Sequence, residues 1–309
     1  MDHFKPRIDI HAHYIPTPYR KMLEKRGIDA PDDFPLPKWD IPIQLERMER
    51  LNIVFAALTI SSPHAHYGDA AESIEVVRAS NEEGFGYARE YPDKLGILAT
   101  LPLPEVEESI SEIEFAVKEG ALGFVMPSHA QGVYLGDERL EPVFDCLNKH
   151  KAVLHFHPTT PSAVPPNVLA SFSRPILEFF FDTTRAITNM IANGVVRRYP
   201  DIKYVIPHGG AVLPLMADRM SGALARLDID IFEVLRSFYY DLAGFVVPNQ
   251  LEILKKTADL SKIVVGTDGP HTPVERARNM TIELDETDKL TDDERDAIYI
   301  TNAKRLLAI

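Results

Sequence analysis

Residues 8–18 read IDIHAHYIPTP, a short strand-like run that enters a turn with prolines and no glycine. A doubly wound nucleotide-binding sheet carries a glycine-rich loop after its first strand, and this junction has none. Seven further runs rich in β-branched and apolar residues follow: VFAALTI (54–60), LGILATL (95–101), ALGFVMP (121–127), AVLHFHP (152–158), IKYVIPH (202–208), FYYDLAG (238–244) and KIVVGTD (262–268). Most are continuously apolar, as parallel strands covered on both faces are. Stretches with helical spacing lie at 43–52, 70–90, 105–119, 138–150, 176–198, 211–227, 248–258 and 291–307. Asp69 is suited to cap the second of these, and the acidic first turn after Pro104 suits the dipole of the third. Eight β–α units in 309 residues predict a (β/α)8 TIM-type barrel, one domain over 1–309. The proline-rich segments 15–40, which holds Trp39, and 158–175 follow strands, so they become extended rim loops.

Composition narrows the function. The chain is 45% hydrophobic and 26% charged, as a globular protein is. With 33 basic and 46 acidic residues its net charge is −13, which opposes nucleic acid and anionic lipid as partners. The single cysteine, Cys146, excludes an intrachain disulfide and a cysteine-based zinc site. No apolar run approaches the roughly 18 residues of a membrane span. The N-terminal residues lack the apolar core of a secretory signal, so a cytoplasmic location is expected.

Eight of the eleven histidines (His11, His13, His64, His66, His129, His157, His208 and His271) fall at a strand end or in the loop after it. In a barrel, that is the catalytic face. His11 and His13 are two residues apart on a strand, so both imidazoles point to one side. His157 ends the fifth strand, His208 the sixth and Asp268 the eighth. A carboxylate at the mouth of an apolar strand is costly unless paired or metal-bound. Together these residues suggest a mixed nitrogen and oxygen site for zinc or a similar divalent ion. Asp9 is expected to support His11 from behind, and His155 to be a deeper hydrogen-bonding residue. His64 and His66 read as loop residues, His129 and His271 as rim residues, and Arg185 as half of a structural ion pair.

The ordered set IDIHAH (8–13), HFHP (155–158), IPHGG (206–210), GTDGP (266–270) and the closing ITNAKRLL (300–307) resembles the amidohydrolase superfamily. Within it, the chain is similar to the branch of aminocarboxymuconate-semialdehyde decarboxylase and γ-resorcylate decarboxylase, over essentially its whole length. The resemblance implies that His11, His13, His157 and Asp268 bind one divalent ion, zinc first and manganese second, with no organic cofactor. His208 is then the active-site histidine beside the ion. Binuclear relatives use a carboxylated lysine on the fourth strand. Here that strand has none and Lys118 precedes it, which favours a mononuclear site. Arg219, eleven residues after His208, resembles the arginine that a neighbouring subunit inserts to hold a substrate carboxylate, so a homodimer or higher homo-oligomer is expected. Muconate-type enzymes carry an arginine near Gln44 or Glu46, whereas this chain has Arg47 and Arg50. The reading is therefore a metal-dependent, non-oxidative decarboxylase of a small salicylate-like acid, with His208 and Asp268 as proton-transfer residues. A hydrolase of a lactone, ester, amide or C–C bond on the same site is the alternative. A binding protein that has kept the barrel is a third reading, opposed by the intact site residues.

Overall fold

The computed structural model describes residues 4–60, 65–165, 167–169, 171–244 and 246–309. Its barrel strands are β1 (Arg7–Tyr14), β2 (Ile53–Ile60), β3 (Leu95–Thr100), β4 (Gly123–Pro127), β7 (Val153–His157), β8 (Lys203–Ile206), β9 (Tyr239–Asp241) and β10 (Ile263–Val264). A rim hairpin, β5 (His129–Ala130) and β6 (Val133–Tyr134), follows β4. The helices are α1 (Thr17–Arg26), α2 (Ile41–Leu51), α3 (Ala70–Glu90), α4 (Val106–Lys118), α5 (Glu141–Lys149), α6 (Arg174–Ala192), α7 (Val195–Arg198), α8 (Leu213–Leu224), α9 (Ile231–Ser237), α10 (Asn249–Thr257), α11 (Val274–Glu286), α12 (Asp292–Asp296) and α13 (Asn302–Leu307).

The strands pair in the order β1-β2-β3-β4-β7-β8-β9-β10, each parallel to the next. The ring closes where the chain beyond β10 meets β1, through the bridges Asp9–Val265 and Ala12–Gly269. This is the (β/α)8 barrel that the alternation predicted. The eighth strand is shorter than the predicted 262–268; beyond it the chain still bonds to β1 through backbone groups, Ile10 N to Val265 O at 3.0 Å and Asp268 N to His11 O at 2.8 Å, and the Asp9 side chain adds to them. Asp9 Oδ1 accepts from both His11 N and Thr267 N at 3.1 Å, and Asp9 Oδ2 accepts from Thr267 Oγ1 at 2.6 Å.

Local chemistry sets several helix ends. Asp40 and Asp69 accept from Ile43 N (2.8 Å) and Glu72 N (3.0 Å), capping α2 and α3. The predicted helix 176–198 breaks before Gly194, whose φ is +74°. The predicted 291–307 helix contains a π-helical segment at Ala297–Thr301. Three helices were not read from the sequence: α1, α9 and α11. Helix α1 buries only Tyr19, Met22 and Leu23, and α11 only Ala277, Thr281 and Leu284, so their apolar stripes are narrow.

Ile8, Ile10, Ala57, Leu98, Val153, Val205 and Val264 pack together with Ala303, Leu306 and Leu307 of α13. The final helix therefore seals one end of the barrel and leaves the strand C-termini for chemistry. Asn302 anchors it: its buried Nδ2 donates to Leu260 O at 2.9 Å and Ile263 O at 2.8 Å, directly beside β10. This gives the closing ITNAKRLL motif a physical reason. Asn302→Ala strands the buried Ile263 carbonyl and the half-buried Leu260 carbonyl, and urea denaturation should record a loss of about 1–3 kcal/mol.

Candidate metal centre and active site

His11 and His13 leave β1 with ring centroids 5.0 Å apart, and the His157 ring at the end of β7 lies 5.4 and 4.9 Å from them. Asp268, in the turn after β10, places Oδ1 3.1 Å from His13 Nε2 and 3.6 Å from His11 Nε2. One donor atom from each of the four lies within 4.8 Å of every other. The three histidines are buried and Asp268 is partly so.

The hydrogen bonds fix which nitrogens are free. His11 Nδ1–H donates to Asp241 Oδ2 at 2.9 Å, and His157 Nδ1–H donates to Pro158 O at 2.7 Å. Each ring then turns Nε2 toward Asp268 and its neighbours: His157 offers a lone pair there, and His11 would offer one on losing its Nε2 proton as an ion enters. His11 Nε2 is buried with no hydrogen-bond partner. Burial drives His13 down to about 3 and His157 well below the usual imidazole range, so both are neutral donors. Burial opposes a charged His11 too, but the Asp241 carboxylate outweighs it and raises this histidine to about 9. Burial likewise opposes an ionised Asp268, yet the His13 hydrogen bond and the His11 charge hold it well below the usual carboxylate range. Three imidazoles, one carboxylate and an orphaned buried nitrogen are a donor set that fits one zinc-type divalent ion.

Asp241, in FYYDLAG, is the residue that the sequence reading missed. Its Oδ2 accepts from His11 Nδ1 and from His155 Nε2, each at 2.9 Å, and its Oδ1 accepts from His208 N at 2.9 Å and Ala243 N at 3.0 Å. The signal was present, since an aspartate in an apolar strand invites the same question as Asp268. His155 takes the deep hydrogen-bonding position expected of it. Asp9 does not support the His11 ring; it holds the His11 backbone and Thr267 instead. The cause is a shift in the β1–β2 register between Asp9 and Ala12, which breaks the simple alternation.

His208 stands beside the four donors, 5.1 Å from His11 and 6.3 Å from His157 between ring centroids. Its φ is +55°, and Gly209 and Gly210 continue at +61° and +82°, which only the two glycines adopt without strain. Gln250 Nε2 donates to His208 O at 2.7 Å, and the Phe180 ring stacks on the imidazole at 5.5 Å. Burial pushes His208 down to about 4, and its Nδ1 has no partner. It is therefore a neutral imidazole with an uncommitted nitrogen, able to accept a proton.

The other sequence candidates have separate places. His64 lies outside the described residues. His66 accepts from Gly68 N at 3.2 Å, and His129 pairs with Thr160 O at 2.9 Å. The His271 ring lies 5.5 Å from those of His13 and Phe34 on the rim. Arg185 pairs with buried Asp182 at 2.7 Å, the structural role anticipated for it. Arg47 is buried and donates to Thr272 O at 2.9 Å, while Arg50 pairs with Glu275 at the surface. Arg219 is exposed on α8 and is not part of the four-donor cluster.

The sequence model described as Amidohydrolase matches residues 8–309. Decarboxylase macB of Penicillium terrestre is 31% identical over 87% of this chain and 85% of its own length. The 6-methylsalicylic acid decarboxylase of Penicillium expansum is 25% identical over 86% of each. Among solved structures, an amidohydrolase II superposes with a TM-score of 0.96 at 37% identity, covering 98% of this chain and 100% of that one. The 5-carboxyvanillate decarboxylase of Novosphingobium aromaticivorans, complexed with manganese, shares the fold with a TM-score of 0.86 at 20% identity, over 98% of this chain and 96% of that one.

The buried imidazoles make the stability of the metal-free protein depend on pH. His13 and His208 titrate at about 3 and about 4 in the folded chain, against 6.5 when unperturbed. Above pH 6.5 both are neutral in either state and nothing is lost. Below it the unfolded chain takes up protons that the folded protein refuses, so stability falls until about pH 3–4. His11 acts in the opposite sense. Its contribution is complete below 6.5 and is lost as pH rises through about 9. Urea midpoints of chelator-treated protein should therefore decline on either side of near-neutral pH; a flat profile from about pH 7 to pH 4 would contradict the neutral imidazoles.

Proposed function

Because the chain belongs to the amidohydrolase family, we propose that it is a metal-dependent, non-oxidative decarboxylase of a small aromatic acid with a hydroxyl beside its carboxyl group. The observation that carries this reading is the convergence of His11, His13, His157 and Asp268 at the barrel mouth, with neutral His208 alongside. The decarboxylase relatives support the reaction type, and the 6-methylsalicylic acid enzyme supports the substrate class.

His11, His13, His157 and Asp268 would hold the ion; zinc suits three nitrogens and one oxygen, and manganese is the second choice. When bound, a divalent ion neutralises the anionic oxygens of the substrate. The chain's own residues do the rest. Asp268, ionised at rest, would first take up the proton of the substrate hydroxyl and then deliver it to the ring carbon that carries the carboxylate. The electrons of the C–C bond then return to the ring as CO2 leaves. His208 exchanges protons with the substrate hydroxyl or with Asp268 through its free nitrogen. Phe180 against His208 and Phe34 against His271 give the site aromatic walls.

We assign the substrate carboxylate to Arg219 of a second subunit in a homodimer. Arg219 and Leu215, one helical turn apart, are both exposed on α8, and Ile176 and Phe181 are exposed on α6, which packs against it. An apolar face around a guanidinium suits an isologous contact that lends an arginine across the two-fold axis.

Three measurements test the reading. Hydroxybenzoates incubated with metal-loaded protein should lose CO2 by mass spectrometry, whereas gain of water by a lactone or ester would turn the assignment to a hydrolase. His208→Ala should keep its metal by elemental analysis and lose about 10²–10⁴-fold in kcat; near-normal turnover would remove His208 from the reaction. Arg219→Ala should raise KM without releasing metal, and mixing it with His208→Ala subunits should restore part of the activity. A monomer by light scattering would refute the shared site.

A further inference from the structure

Outside the barrel, α4 and α5 bring together three side chains of metal-ligand type that the barrel site does not use. Cys146 and His150 are four residues apart at the end of α5, a spacing that puts them on one helix face. Glu114 approaches from α4. His150 Nε2 donates to Glu114 Oε1 at 2.8 Å, and Cys146 Sγ lies 3.7 Å from the same oxygen. The three donor atoms all lie within 4.8 Å of one another.

We propose that Glu114, Cys146 and His150 form a second metal site, for zinc, that clips α4 to α5 on the outer wall of the barrel. A thiolate, an imidazole and a carboxylate make a mixed sulfur, nitrogen and oxygen set. Sulfur selects zinc over magnesium, calcium and manganese, and water completes a tetrahedron. In such a tetrahedron the donors stand about 3.2–3.6 Å apart. The observed 2.8 and 3.7 Å separations bracket that range, so the ion enters by spreading the His150–Glu114 pair a few tenths of an ångström. Cys146 is buried, while Glu114 and His150 are exposed and offer a path from solvent. On binding, the sulfur–metal bond replaces the thiol S–H bond and the proton leaves to solvent. Without an ion, burial and Glu114 push the thiol up to about 11, so it is an inert neutral thiol and not a reactive one. The exclusion drawn from a single cysteine reaches only sites built from several; a mixed set needs one.

The test rests on the chain having one cysteine. The barrel donors are nitrogen and oxygen, so a near-ultraviolet sulfur-to-cobalt charge-transfer band can come from this site alone. Cobalt(II) titrated into reduced, chelator-washed protein should produce that band, saturating only once the barrel site has also taken its equivalent, and zinc should abolish it. Cys146→Ser should eliminate it. Glu114→Gln and His150→Gln, at exposed positions where folding is little affected, should each weaken cobalt binding by about tenfold or more. No band at excess cobalt, or unchanged affinity in either of the last two variants, overturns the site. None of these readouts depends on decarboxylase activity.

Discussion

One carboxylate, that of Asp241, ties the site together. Its two oxygens accept from the side chains of His11 and His155 and from the backbones of His208 and Ala243. Those groups come from β1, β7, the turn after β8 and β9's own continuation. An ionised carboxylate with no exposure costs several kcal/mol unless charge and hydrogen bonds offset it. Here four donors and the positive His11 ring do so, and Asp241 stays ionised well below the usual carboxylate range despite its burial. The same bonds orient the His11 ring and hold the His208 backbone in its left-handed turn. Ligand direction and proton-transfer geometry therefore share one support.

Asp9 plays the matching part at the seam of the barrel. It binds the backbone and hydroxyl of Thr267, beside the backbone bonds that join β1 to residues 265–269. In the turn after β10, Asp268 faces His11 and His13. Arg47 holds the far side of this turn: a Cβ on Gly269 would lie 2.1 Å from Arg47 Nε, so a larger residue there would displace the guanidinium. Of the three buried or partly buried aspartates around His11, two are thus spent on architecture and Asp268 faces the open side.

The barrel was legible because its strands are covered on both faces and read as unbroken apolar runs such as LGILATL and AVLHFHP. The placement of His11, His13, His157, His208 and Asp268 at the strand ends followed from the same alternation. What escaped the sequence had physical causes. Helices α1 and α11 touch the core through three residues each, too few to print a clear period. Asp9 binds the backbone of His11 and not its ring, at the point where the β1 register shifts. Asp241 passed unnoticed because no histidine flanks it in sequence; its partners come from other strands.

The seam between β1 and the chain beyond β10 joins residues more than 250 positions apart, as Asp9 and Thr267 show. On the ribosome, β1 emerges first and pairs with β2, but its other edge has no neighbour until residues 265–269 have been made. The lower interior stays open still longer, until α13 arrives. Most of this protein's strands can thus stack in order of synthesis, whereas closure is a late, non-local event of high contact order. The half-built sheet meanwhile presents β1, with His11 and His13 on it, as an unpaired edge.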